Sequence, residues 1–407
     1  MRRPAAATEP GARGGDLGHV AGRIGDAGLA PPAHDITQGT RRCGAHDGSW
    51  STFEEFAMST PLALALLLSA ATAAAAPAYT LTVLPDGMSP SGINNAGQVV
   101  GTRNDHAYLW SSAGGIDLGT LGGASSSGAA LNRFGEVTGG ALTASGEEHA
   151  FIYSKGVMSD LGLVGGGDMT RGMAINDLGQ VAGIFHAPSA GWGAFVRQDG
   201  RLRDIGKLGG QSIWATGINN AGRVVGSSLG QGEFHPPQTA FIYENDVMSA
   251  LNYSPSGSST ANAVNQAGQV TGTDWHGPES AYLYTNGMTQ VLGSMYGLAA
   301  WGTALNNRGE VVGNLGGALQ VPFFAFIYAN GAMSDLNTLI DPALGWTVHS
   351  AAGINDLGQI AAYGCHDSGG CGGLLLQLTS PVPEPQAAAM LLAGLGLLAA
   401  ARRRRRA

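Results

Sequence analysis

One word recurs seven times in this chain: apolar, Asn, any, any, Gly, any, then Val or Ile. It reads INNAGQV at Ile93, LNRFGEV at Leu131, INDLGQV at Ile175 and INNAGRV at Ile218. It returns as VNQAGQV at Val264, LNNRGEV at Leu305 and INDLGQI at Ile354. The asparagines (Asn94, Asn132, Asn176, Asn219, Asn265, Asn306, Asn355) stand 38, 44, 43, 46, 41 and 49 residues apart. A period of this length means one supersecondary unit stacked on copies of itself. Asn at the start of a tight turn can accept from its own downstream backbone, and Gly three residues on tolerates the left-handed conformation that closes it. Each word therefore predicts a hairpin joining strand a to strand b. A Gly follows at Gly101, Gly139, Gly183, Gly226, Gly272 and Gly313, with Ala362 in the seventh copy. Small residues there let the innermost strands crowd together.

A second element trails each hairpin: HAYLW at His106, HAFIY at His149, GAFVR at Gly193, TAFIY at Thr239, SAYLY at Ser280, FAFIY at Phe324 and GGLLLQL at Gly372. These aromatic and branched runs read as strand c. Pairs such as Lys155-Gly156, Asp199-Gly200, Asn286-Gly287 and Asn330-Gly331 suit two-residue hairpins. Strand d follows at Val157, Leu202, Val247 and Ala332. Four short antiparallel strands in about 43 residues make a propeller blade. The seventh unit lacks strand d, while 79–84 (YTLTVL) precede the first hairpin unpaired. The expected fold is all-β, a seven-bladed β-propeller closed by its N-terminal strand; an open β-solenoid of the same units is the alternative. Closure removes exposed strand edges.

The ends differ from the repeats. Residues 1–57 carry six arginines and no strand pattern, and read as an extension upstream of the true start. Residues 58–78 contain an apolar run, 62–76, ending in small residues, the form of a secretory signal cleaved by signal peptidase. The repeat body is 79–381. In the tail, 382–407, Pro383, Glu384 and Pro385 precede a nearly all-apolar stretch, 386–401, and five arginines, 402–406. As a helix, 386–401 spans roughly 24 Å, with the arginines holding its end in the cytoplasm. A plain membrane anchor would have this form. The order of parts also resembles the bacterial PEP-CTERM sorting signal, which implies recognition by an exosortase at the inner membrane and removal of the tail. HAFIY followed by MSDLG, with DLGTLGG at Asp117, resembles the HAF repeat of extracellular bacterial proteins. That resemblance implies secretion and repetition, and no known chemistry.

Between the two terminal segments stand 10 Lys and Arg against 21 Asp and Glu, a net charge of −11. No basic patch with interleaved aromatics is present, so nucleic acid is not an expected partner. There is no G-x-S-x-G elbow, H-E-x-x-H or P-loop. Glu147 and Glu148 adjoin in sequence, whereas a glycosidase pair must face each other across a sugar. Cys365 and Cys371, six apart, suit a loop-closing disulfide in an exported chain. The alternatives are a metal site adding His366 and Asp367, for which the spacing is wide, and two free thiols. No cofactor is implied.

The body has six Trp and seven His. With strands placed as above, Trp192 and Trp275 fall in b-to-c loops and Trp214, Trp301 and Trp346 in d-to-a connections, all at one end of a propeller; only Trp110 ends a strand c. His106, His149, His186, His235, His276, His349 and His366 map to the same end or its rim. Flat aromatics beside hydrogen-bonding groups can stack on and orient sugars, so the five tryptophans are candidate glycan-binding residues. As plain anchors for long loops they would do no more than plug the blade tops. The expected function is a secreted or cell-surface, non-catalytic protein of the bacterial envelope or biofilm matrix, monomeric, in the membrane only transiently, binding exopolysaccharide. The alternatives are a propeller lyase or glycosidase, favoured by a buried carboxylate or His pair in the central channel, and a scaffold for protein partners.

Overall fold

A computed structural model describes residues 78–230, 237–251, 258–275, 279–316 and 323–379. Its strands form seven four-stranded antiparallel sheets, and two 3-10 turns, Leu336–Thr338 and Pro342–Leu344, are the helical pieces among the described residues. The protein is a seven-bladed β-propeller. Blades 1 to 6 are each four consecutive strands, the first running Met88–Ile93, Val99–Arg103, His106–Ser111 and Gly114–Asp117. Blade 7 has strands a to c at Trp346–Ile354, Ile360–His366 and Cys371–Leu378. Its outermost strand is Tyr79–Val83, paired antiparallel from Tyr79↔Leu378 to Val83↔Leu374. The ring is thus closed by the N-terminal strand. Tyr79 is buried there, and that burial, with Glu310 nearby, pushes its hydroxyl up to about 12.

The core is divided into seven clusters, one at each blade–blade interface. The word Ala-aromatic in strand c explains why. Side chains alternate across a strand, so Ala107 of blade 1 packs beneath Phe151 of blade 2 in one cluster, and Ala150 of blade 2 beneath Phe195 of blade 3 in the next. Phe151, Phe195, Phe241, Tyr282 and Phe326 are all fully buried. Each such ring contributes on the order of 1.5–3 kcal/mol.

The Gly of strand b has a specific cause. A Cβ at Gly139 would fall on the Ser127 carbonyl oxygen of strand a, and one at Gly226 on that of Trp214. The crowding is therefore within a blade. It follows from a β-bulge in every strand a, between Pro90/Gly92, Gly128/Ala130, Gly172/Ala174, Ala215/Gly217, Ala261/Ala263, Gly302/Ala304 and Ala351/Gly353. Strand a carries a second irregularity in blade 2, Gly122/Ser126, and in blade 7, Val348/Ser350, and blade 7 alone has alanine, Ala362, in place of the glycine. The strands d of blade 1, Gly114–Asp117, and blade 5, Met288–Gly293, lack the word that marks this strand at Val157, Leu202, Val247 and Ala332.

Candidate functional site

Antiparallel order puts the a–b and c–d turns at one end of the wheel, the turn end, and the b–c and d–a connections at the other, the loop end. At the turn end each Asn Oδ1 accepts from its own hairpin: Asn94 takes Ala96 N at 3.0 Å and Gln98 N at 3.1 Å. Its Nδ2 donates to Gln98 Oε1 at 2.8 Å and, across the blade interface, to the Asn132 carbonyl at 3.0 Å. Asn132 donates in turn to Asn176 O, Asn176 to Asn219 O, Asn219 to Asn265 O, Asn265 to Asn306 O and Asn306 to Asn355 O. Asn355 returns to Asn94 O at 2.9 Å. Seven buried amides form a closed ring, each bridging two blades. Asp at the same position could accept but not donate, so the sequence requires Asn seven times.

A second circle sits just outside it, one residue on. Backbone N–H of Arg133 donates to Asp177 Oδ1, Asp177 to Asn220, Asn220 to Gln266, Gln266 to Asn307, Asn307 to Asp356 and Asp356 to Asn95. The circle breaks between Asn95 and Arg133, because a guanidinium has no acceptor. Burial pushes the Asp356 carboxyl up. Hydrogen bonds from Asn95 and from the backbone and side chain of Asn307, with Arg308 nearby, outweigh it, and the group titrates below the usual carboxylate range. These two circles line a cavity of about 450 Å³.

Within the channel each bulge re-aims one side chain inward. The seven bulged residues are Ser91, Ala129, Met173, Thr216, Asn262, Thr303 and Ala352, and they line a cavity of about 290 Å³. Its described wall carries no Asp, Glu, His, Lys or Arg. Thr216 Oγ1 donates to Ala261 O at 2.8 Å, Thr303 Oγ1 to Ala351 O at 2.7 Å and Asn262 Nδ2 to Gly302 O at 2.7 Å, so these polar groups tie neighbouring blades.

The loop end varies from blade to blade. Trp192 lies in strand c (Gly191–Gln198), and Trp214, Trp301 and Trp346 lie in strands a (Ile213–Ile218, Ala299–Leu305, Trp346–Ile354). The expectation of loop positions for these four is corrected: the strands extend further toward this end than the repeated words mark. Trp275 is in the b–c connection as expected, 42% exposed, while the other four are half-buried. Trp192 pairs across the sheet with His186, rings edge-to-face at 5.3 Å, and Trp346 pairs with His366 in the same way. Trp301 is held differently. Its Nε1 donates to Glu279 Oε2 of blade 5 at 2.7 Å, and its ring lies 6.0 Å from Phe323. Arg171 occupies the corresponding place in blade 3 and bonds Glu148 of blade 2 at 2.6 Å. Among the described residues no two of the five tryptophans are in ring contact.

The histidines divide too. His106 and His149 pair through Nδ1 with Asp117 and Asp160, eleven residues on, at 2.9 Å. Each Asp also caps the following turn, accepting from Gly119 N or Gly162 N. The His of the repeated word thus braces the Asp of Asp-Leu-Gly within one blade. His186 Nδ1 meets Asp168 at 2.7 Å and His349 Nδ1 lies 2.9 Å from Phe323 O. His235 and His276 lie outside the described residues. Cys365 and Cys371 are disulfide-bonded across the start of strand c in blade 7. Among the described residues no cluster of His, Cys, Asp or Glu could hold a metal ion. A cavity of about 880 Å³ opens at the turn end between blades 3 and 4, where Arg203 and the Tyr243 hydroxyl both meet Asp246.

Residues 381–406 match the PEP-CTERM protein-sorting motif, so Pro383, Glu384 and Pro385 belong to a signal for exosortase-dependent processing of an exported surface protein. The apolar stretch expected to cross the membrane lies outside the described residues, and among those described no helix is long and apolar enough to do so. A comparison with curated protein sequences finds no match. Among solved structures, the β-propeller domain of the trilobed protease from Pyrococcus furiosus is 10% identical, with TM-score 0.45, over 61% of this chain and 84% of that one. TolB from Acinetobacter baumannii is 11% identical, with TM-score 0.39, over 58% and 62%. A GH74 enzyme of Niastella koreensis is 13% identical, with TM-score 0.45, over 71% and 53%. At these levels the likeness carries no functional information.

Proposed function

We propose that this exported propeller is a non-catalytic protein of the cell envelope or biofilm matrix, a HAF-repeat protein in the sense of the resemblance above, whose loop end binds exopolysaccharide. The observation that carries this reading is the placement of one tryptophan in each of blades 3 to 7 at a single end of the wheel, four half-buried and Trp275 open. Rings held on edge by His186 and His366 keep a fixed orientation, which lowers the entropic cost of stacking a sugar. Spacing one aromatic per blade suits a long chain touching several weak subsites rather than a small molecule in a pocket. The channel supports the same reading: its described wall offers no acid or base, and the carboxylate of Asp356 at its mouth is engaged as an acceptor. A general acid would need the opposite shift.

The test is retention of the trimmed, folded protein on cell-surface polysaccharide. Replacing Trp192, Trp275 and Trp346 by alanine should cut retention at least tenfold with the thermal transition still cooperative. Unchanged retention by the folded triple variant would sink the binding reading.

A further inference from the structure

The chain enters and leaves the wheel at one point. Strand c of blade 7 runs toward the turn end and the closing strand starts there, so Thr379 N donates to Ala78 O at 2.9 Å. The sorting motif begins two residues later, at 381. From Thr379 to Gln386, where the apolar stretch starts, a fully extended chain reaches at most about 25 Å. While that stretch occupies a bilayer, the wheel is held close, with the point of exit nearest the lipid.

The turn end carries what a headgroup layer accepts. The residue two after each ring Asn is the tip of its turn. It is Phe134, Leu178 and Leu357 in blades 2, 3 and 7, at 63%, 71% and 59% exposure. Folding does not ask for size at this position, since alanine fills it in blades 1, 4 and 5. Leu357 stands in the closing blade, where the tail departs, and Leu378 beside it is half exposed as well, while Phe134 and Leu178 stand two and three blades further round the wheel, past Ala96 of blade 1. The Arg133 guanidinium lies over the Phe134 ring at 4.5 Å. An apolar body beside a cation matches the boundary between acyl chains and phosphates. The loop end also exposes apolar rings, at Tyr296 and Phe323, but the chain does not leave there.

We propose that the turn end is a lipid-docking surface: with the sorting tail still attached, Phe134, Leu178 and Leu357 enter the headgroup layer and the aromatic loop end faces away from the membrane. Docking is driven by apolar insertion and proximity, because the body as a whole is acidic and gains little from anionic lipid. It rests on the sorting tail and the fold, and is independent of polysaccharide binding.

The experiment uses the full chain, with Cys43→Ser, reconstituted by its tail into vesicles of phosphatidylethanolamine and phosphatidylglycerol containing brominated acyl chains. A fluorophore is placed at Leu178→Cys or, at the loop end, at Ser189→Cys. Quenching at the Leu178 position should exceed that at the Ser189 position at least threefold. Adding Phe134→Ser and Leu357→Ser should at least halve it. Equal or reversed quenching at the two ends would overturn the orientation. Undiminished quenching after the two serine replacements, in protein with an unchanged thermal transition, would overturn docking and leave only a tether.

Discussion

The two ends of the wheel are built on opposite rules. At the turn end one position is Asn in every blade, and each copy makes the same bond to the next blade. At the loop end the residue two before the Ala of strand c, or before its counterpart Gly373 in blade 7, is Glu148 in blade 2, Trp192 in blade 3, Glu279 in blade 5, Phe323 in blade 6 and Cys371 in blade 7. Repetition marks what closes the ring. Variation marks where the fold has been satisfied by several chemistries and where residues are free to serve a ligand.

The largest effect expected from this contrast is at the turn end. Asn306→Ala strips an acceptor from the backbone N–H groups of Arg308 and Glu310 and a donor from the Asn355 carbonyl. Unsatisfied buried groups cost about 1–3 kcal/mol each. With some rescue by water, a loss of about 3 kcal/mol is expected in denaturant unfolding. A loss below about 1 kcal/mol would mean that the ring is ornamental. Next comes the one covalent tie at the loop end. Cys365→Ser with Cys371→Ser opens a short loop and should cost about 2 kcal/mol, read as a lower midpoint with an unchanged slope.

The outer circle sharpens the comparison through pH. The Asp356 carboxyl is held below its ordinary range in the folded protein, so its contribution is fully present above that range and is lost as pH falls through the folded value. Acid titration should therefore steepen the loss of stability below the usual carboxylate region, and Asp356→Asn should flatten it. The smallest effect belongs to Trp275→Ala, which should leave stability within about 0.5 kcal/mol while weakening polysaccharide retention.

Much of this architecture is readable from sequence because each blade announces itself in words of the right period. The hairpin Asn and Gly, the buried Ala-Phe of strand c and the missing seventh strand d all have local signatures. The ring of amides does not. Asn94 Nδ2 meets a carbonyl 38 residues away, and nothing local says which oxygen will be there. The bulges were equally hidden: Ser91, Met173 and Asn262 share a position but no chemistry, because only the backbone is repeated. At the loop end, tryptophan content signalled interest but not role. Trp301 and Trp275 look alike in sequence, and it takes Glu279 to show that one is pinned between blades and the other is open.

Closure by the N-terminal strand is what makes the seven blades a ring, and trapping tests it most directly. Thr80→Cys and Gln377→Cys stand opposite each other in the closing pair. Mild oxidation followed by proteolysis and mass analysis should recover the two peptides joined in high yield. Recovery of the two peptides unlinked, or position 80 joined to a cysteine placed on another blade's edge instead, would contradict a wheel closed in this way.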